Sequence, residues 1–531
     1  MKKRIPFGVW EPDSGAVTGL GRVTKAVNVV PVKGGYKVID GWSPAYEIDL
    51  GGNQFVTQPI TPSSVINAVS VVPERGFSYR DIISTTTAIY LLDTGGLTAA
   101  VITGSAATAN PVGGGEFGES NIYYRDMTQY GGLVIATSGR NSSGTAPIVA
   151  YTIGSGTSFI SIGADFQSDF VTTLRDFVVY GSTYDSADGQ QRGRIRWSGF
   201  GDYTATTPSA ATQADIQDLI PEFGPIMRIL GGNDVFVICQ NGVVIMEYVG
   251  GATIMRFTYV HKNVGTAYPL SCVRIGDYVY FYSQSGFVRV GRASGDVAYI
   301  GDGRVDREFN AKLIEGLTSI NNAPQVRAYH DESNGCVCWQ YTSSDGRAFA
   351  YSYRTDQWTL HGNDSDRPGA YFIYSSAIAQ GGGSAAPNKY QRRRVPTAIG
   401  TGGIFYTMLN ESQKAKYEIA TGFEELTPGR KSIVDKVWPV YDVNGAAPTN
   451  PELVVTSIPK LNGVNLYAEP TSTYSSTAAL QSDGFFTVTG PGSYEGRFHR
   501  FQLENSDTAS ERAGEQAILG LDVEYFERGD Y

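Results

Sequence analysis

The chain has 531 residues, with 64 Gly, 24 Pro and 12% aromatic residues against only 18% charged ones, a mix too poor in long-helix formers for a coiled coil. A hydrophobic fraction of 41% is too much buriable surface for a disordered chain, and the length suits two or three domains or one large β assembly. The net charge of −10, from 42 basic and 52 acidic residues, argues against a surface that wraps nucleic acid through clustered Lys and Arg.

At the amino terminus, MKKRIPFGVWEPD begins with a basic triplet, but Gly8 breaks its apolar part and Glu11, Pro12 and Asp13 stop it before a signal-peptide core forms. No stretch reaches the roughly 18 apolar residues of a membrane span. The expectation is a chain made in a cytosol, with reduced thiols and no membrane insertion. Residues 1–60 read as strands available to close a larger β unit.

Residues 61–380 read as that unit. Short runs rich in Val, Ile, Tyr and Phe recur between Gly, Asn and Asp: Phe177 to Tyr180, Val235 to Cys239, Val243 to Tyr248 and Tyr278 to Tyr282. They are too short for helices and nearly all β-branched or aromatic, so they predict inner strands buried on both faces. Gln240-Asn241-Gly242 and Ser283 to Gly286 separate such runs as hairpin turns. Four-stranded units of about 40 to 50 residues fit a β-propeller better than a sandwich, because a propeller absorbs many hairpins and leaves few open edges. No strict period repeats, so the blades are not countable. Helix is scarce, with candidates at Thr212 to Leu219 and near Asp306 to Leu313.

Gln380 to Gly403 mixes Gly, Ser, Pro and Arg without apolar periodicity, so residues 381–430 read as a linker or loop insertion. Residues 431–531 alternate like strands again, as a small sandwich domain or as strands that close the propeller. The expected fold class is all-β: a β-propeller with an additional C-terminal β domain or closing strands.

Chemical signatures are sparse. The four histidines, His261, His330, His361 and His499, form no H-E-x-x-H or comparable pair and read as structural or surface residues. Gly113 to Gly118 fits G-x-G-x-x-G formally, but it lacks a preceding buried strand and a following helix, so it reads as a loop. Neither a phosphate loop nor a G-x-S-x-G elbow occurs. Asp364 and Asp366 lack the full ligand set of a calcium loop and read as a turn. Cys336 and Cys338 point to one face of a strand, where small thiols fill space. Arg392, Arg393 and Arg394 form a basic triplet, either a contact with phosphate or with an acidic neighbouring subunit, or a solvated loop. Trp197 reads as a blade anchor, and Gly35, Gly201, Gly242, Gly286 and Gly303 as turn positions that need no Cβ. No catalytic, cofactor-binding or metal-binding residue is assigned.

An ordered series of segments resembles the β-propeller tail proteins of short-tailed bacteriophages, of the nozzle, tail hub or packaged-DNA-stabilisation type. It runs through AVNVVPVKGGYKVIDG (26–41), GRIRWSGFGDYT (193–204), ADIQDL (214–219) and GPIMRILGGNDVFVICQNGVVIMEYVGG (224–251). It continues in VGTAYPLSCVRIGDYVYFYSQSGFVRV (264–290), IGDGRVDREF (300–309), AYHDESNGCVCWQY, the YRTDQW turn with Trp358, EGRFHRFQLE and LGLDVEYFERG. The departures lie near Thr103 to Gly118 and Gln380 to Gly403.

The resemblance implies a structural virion component without catalytic activity. It is made in the host bacterial cytoplasm and forms a ring, usually of six copies, below the portal and the head-to-tail adaptor protein. Such a ring continues the DNA channel, helps retain packaged DNA and docks tail fibres or tailspikes. Six copies would carry about −60 in formal charge, and an acidic lumen would let DNA slide without sequence-specific binding. The alternative is a carbohydrate-binding or carbohydrate-degrading propeller, which requires paired carboxylates or an aromatic sugar platform; no S-x-D-x-G-x-x-W box is found.

Overall fold

The computed structural model describes residues 1–14, 21–44, 65–71, 80–85, 89–92, 99–101, 126–137, 147–153, 159–251, 253–317, 326–341, 347–362, 372–376, 395–399, 405–408, 415–442, 451–458, 474–479, 481, 483–488, 495–505 and 517–528. Among them, seven antiparallel four-stranded units follow one another: blade 1 (65–101), blade 2 (126–161), blade 3 (166–218), blade 4 (226–262), blade 5 (273–299), blade 6 (326–361) and blade 7 (372–407 with 43–44). The first strand of blade 7 lies against the first strand of blade 1, so the blades close a ring. The fold is a β-propeller.

The apolar runs are continuous because each blade is covered on both faces. In Val235–Cys239, Val235, Val237 and Cys239 pack into the core shared with blade 3, while Phe236 and Ile238 pack into the core shared with blade 5. Cys336 and Cys338 lie together in the core between blades 6 and 7, beside Ala350, Ala398 and Met408.

Blade 7 takes its outermost strand from the other end of the chain. Ser43–Pro44 pairs antiparallel with Phe405–Thr407, so an amino-terminal strand closes the ring. Blade 7 also carries Val395–Ile399, so strands of the propeller stand inside the interval 381–430 that reads as a linker. Their short runs, with Pro396 in one of them, become strands by pairing across the blade rather than by their own periodicity.

The remaining amino-terminal strands join the carboxy-terminal ones in a β-sandwich. One sheet holds Lys2–Pro6, Val29–Val32, Gly35–Val38, Lys431–Tyr441 and Ala517–Arg528, with short pairings from Phe486–Thr487 and Glu495–Gly496. The other runs through Val23–Val27, Glu418–Thr421, Phe498–Asn505, Pro451–Ile458 and Tyr474–Ala479. It continues the sheet of blade 6, because Val27 bridges Leu360 in parallel on that blade's outermost strand. Ile5, Val434, Phe501 and Val523 of the sandwich share one continuous core with Trp339 and Trp358 of blade 6.

Two helical expectations part ways. Helix α1 (Asp306–Leu317) forms between blades 5 and 6, and its Phe309 meets Phe287 edge to face with ring centroids 4.7 Å apart. Thr212 to Leu219 is not helical: Asp215–Asp218 is the outermost strand of blade 3, paired with Arg194 to Trp197. A bidentate contact, Arg194 Nε and Nη2 donating to the Asp218 carboxylate at 2.7 and 3.0 Å, helps hold this polar segment to the sheet against its helix propensity.

Candidate functional site

The histidines stand apart from one another. His261 is buried on the outer strand of blade 4, its Nε2 3.4 Å from the Gly291 carbonyl, and burial lowers its pKa. His330 meets Tyr353 Oη at 3.1 Å. His361 is fully buried, with Nδ1 3.8 Å from Cys338 Sγ, but both groups are sealed from solvent. His499 lies in the sandwich between two hydroxyls, Ser432 Oγ on Nε2 and Ser457 Oγ on Nδ1, each at 2.8 Å. Burial pulls its pKa down to about 4. The four cysteines are free and buried, and burial pushes the Cys239 thiol up to about 12. Gly113 to Gly118, Asp364, Asp366 and Arg392 to Arg394 lie outside the described residues.

Several carboxylates serve as clamps between blades. Asp234 of blade 4, almost fully buried, accepts from Arg274 Nη2 at 2.6 Å and pairs with Arg292 Nε at 2.7 Å, both from the blade 5 side. Glu247 pairs with Arg256 and with that same Arg292, and these guanidinium partners hold its carboxyl below the usual range. Nearer the axis, Arg228 of blade 4 reaches Asp126 of blade 2 at 3.0 Å, and Val171 N of blade 3 donates to the other Asp126 oxygen at 3.0 Å. Burial pushes the Asp126 carboxyl up and Arg228 opposes it. The inner ends of blades 2, 3 and 4 are thus filled by packed, ion-paired side chains.

One face carries a recess of about 420 Å³ between blades 2 and 3, lined by Gln129, Tyr130, Thr173, Arg175, Asp176 and Gly201 among others. Arg175 and Asp176 form the two-residue turn between Phe166–Leu174 and Phe177–Asp185, with Leu174 opposite Phe177. The Arg175 guanidinium stacks 5.1 Å over the Tyr248 ring, and Tyr130 Oη donates to the Asp176 carbonyl at 3.0 Å. Phe200, half exposed, stacks on Tyr248 at 6.3 Å. Sequence reading missed this place; the available signal was a charged pair where a tight hairpin usually carries Gly or Asn.

Among the described residues, no group of three or more His, Cys, Asp and Glu is placed to hold a metal ion. Nor is any helix among them long and apolar enough to cross a membrane. No family model and no curated protein matches the chain. Solved structures that it resembles include "YCF48 bound to D1 peptide", 11% identical over 69% of this chain and 98% of the other, with a TM-score of 0.33. Another is "Crystal structure of BBS1N in complex with ARL6DN, soaked with lead", 12% identical over 70% and 98%, with a TM-score of 0.36. Similarity at that level carries no argument here, and the fold assignment rests on the seven blades themselves.

Proposed function

We propose that this protein is a structural component of a short-tailed bacteriophage tail: a nozzle or hub subunit that assembles into a ring beneath the head-to-tail adaptor. The observation that carries the reading is the fusion of propeller and sandwich. One sheet runs from blade 6 into the sandwich, and the amino-terminal segment contributes strands to both units. Two units tied in this way resist hinge motion between them, which suits a load-bearing block more than an enzyme that opens and closes.

Asp126 and Arg228 pack at the inner ends of the blades, so in this reading DNA passes between copies and not along the propeller axis. The conduit is the lumen of the ring, and each copy adds a net charge of −10 to the assembly. Acidic side chains facing that lumen repel phosphates and keep the genome sliding. Tail fibres or tailspikes dock on the outer surface, and the particle is a virion tail.

The test is solution mass and negative-stain imaging of the full chain, alone and with the adaptor protein. A closed ring of about six copies, alone or on the adaptor, supports the reading. A chain that stays monomeric in both conditions overturns it, as does release of reducing sugar from a bacterial polysaccharide.

A further inference from the structure

We propose that the recess between blades 2 and 3 binds a saccharide, taking one hexose-sized unit of a neutral glycan. Its volume of about 420 Å³ lies in the range of small-ligand sites. Its lining residues Thr173, Gln129, Arg175 and Asp176 carry a hydroxyl, an amide whose Nε2 donates to the Gly131 carbonyl at 2.9 Å, a guanidinium that stacks on Tyr248, and a carboxylate. Together they offer donors and acceptors in directions that suit adjacent hydroxyls.

The charge balance selects the ligand class. Among the described residues the lining holds one guanidinium and one carboxylate and so carries no net charge, whereas a phosphate or carboxylate ligand favours an excess of cations. Among the described residues Asp176 is the one carboxylate of the lining, so the site is proposed to bind a glycan rather than to cleave it with a pair of acids. Aromatic surface stands beside these groups. Tyr130 lines the recess, the Tyr203 ring lies 6.1 Å from it, and Gly201 connects to Phe200, which is 52% exposed. Flat, partly solvated rings offer an apolar surface to the C–H face of a pyranose.

The turn that carries the two charged residues is held in place before any ligand arrives. Arg175 has φ 52°, a left-handed conformation that a non-glycine residue adopts at a cost, and such strain is concentrated at ligand-binding turns. The Asp176 carbonyl accepts from Tyr130 Oη at 3.0 Å and from Gly201 N at 2.9 Å, which fixes the backbone. Its side-chain carboxylate forms no hydrogen bond or ion pair among the described residues, so it is left for a ligand hydroxyl.

The experiment is saturation-transfer NMR on the full chain with maltohexaose, cellohexaose and chitohexaose, with inorganic phosphate and an unrelated hexapeptide as competitors. The expected result is transfer to at least one oligosaccharide, weakened about tenfold or more by Arg175→Gly and by Asp176→Ala. Arg175→Gly relaxes the left-handed turn but gives up the stacking on Tyr248, so these effects offset and a melting temperature close to the parent's separates lost binding from lost folding. Absence of transfer at about 10 mM of each oligosaccharide overturns the proposal. Unchanged binding in both variants, or displacement by phosphate or by the peptide, overturns it as well. Ring assembly is read by mass, so it succeeds or fails independently of this result.

Discussion

Trp197 is buried in the core between blades 3 and 4, and its Nε1 donates to the Gln213 carbonyl at 2.8 Å. Trp197→Ala removes that packing and leaves a cavity, so the blade 3 region is expected to lose about 3 to 5 kcal/mol, measured as a shift in its chemical-denaturation midpoint. Gly286 illustrates a glycine required by a neighbour: a Cβ there would lie 2.0 Å from an Asp306 carboxylate oxygen, and its φ is 104°. His499 makes a pH prediction. Burial favours its neutral form, with a pKa of about 4 against an ordinary value of 6.5. Its contribution is therefore fully present above the unfolded value and is lost as pH falls from about 6.5 to 4. Burial raises the pKa of neighbouring Glu424, whose effect has the opposite sign, so the comparison must isolate the histidine. The stability gap between the parent and His499→Gln is expected to shrink across that interval; a gap independent of pH would contradict the assignment. The anchoring role of Trp197 follows from residue type and neighbours, whereas two serines distant in sequence set the environment of His499.

Helix α1 shows how an element is stabilised from afar. Its backbone N–H groups at Arg307 and Glu308 donate to the Asp13 carboxylate at 2.5 and 2.9 Å, a cap supplied from the amino-terminal segment. Asp13→Ala is expected to cost about 1 kcal/mol and to speed amide exchange in α1 while leaving the blades protected. The ion clamp between blades 4 and 5 is the stronger case, because Asp234 is nearly inaccessible and two guanidinium groups depend on it. Asp234→Ala leaves Arg274 with an unpaired, largely buried charge, so a loss of about 3 kcal/mol is expected, seen as a lower melting temperature. Helix near Asp306 was readable because a local apolar pattern supports it. The polar stretch Asp215–Asp218 was not, since its strand identity comes from hydrogen bonds to Arg194–Trp197, which no local pattern encodes.

Propeller and sandwich are joined through Asn28, a buried residue at φ 55°. Its side chain accepts from Gly362 N at 2.6 Å and donates to the Lys416 carbonyl at 2.6 Å, while its backbone N–H donates to the Leu360 carbonyl at 2.8 Å. One residue thereby ties the amino-terminal segment to blade 6 and to the start of the carboxy-terminal strands. Removing residues 1–44 strips blade 7 of its outer strand and takes strands from both sandwich sheets. Such a truncation is expected to abolish the native near-ultraviolet circular dichroism of the chain. Retention of a cooperatively melting propeller after the same deletion would show that the two units fold independently.

Strand content, the buried inner runs and the Asn241-Gly242 hairpin were fixed locally, since β-branched and aromatic runs bounded by turn residues have few other ways to bury their surface. The number of blades, the crossing of the amino-terminal strands into blade 7 and the sandwich, and the recess beside Arg175 came from long-range pairing. Strand partners hundreds of residues apart are selected by the geometry of ring closure and by the faces left uncovered, neither of which leaves a mark in neighbouring residues.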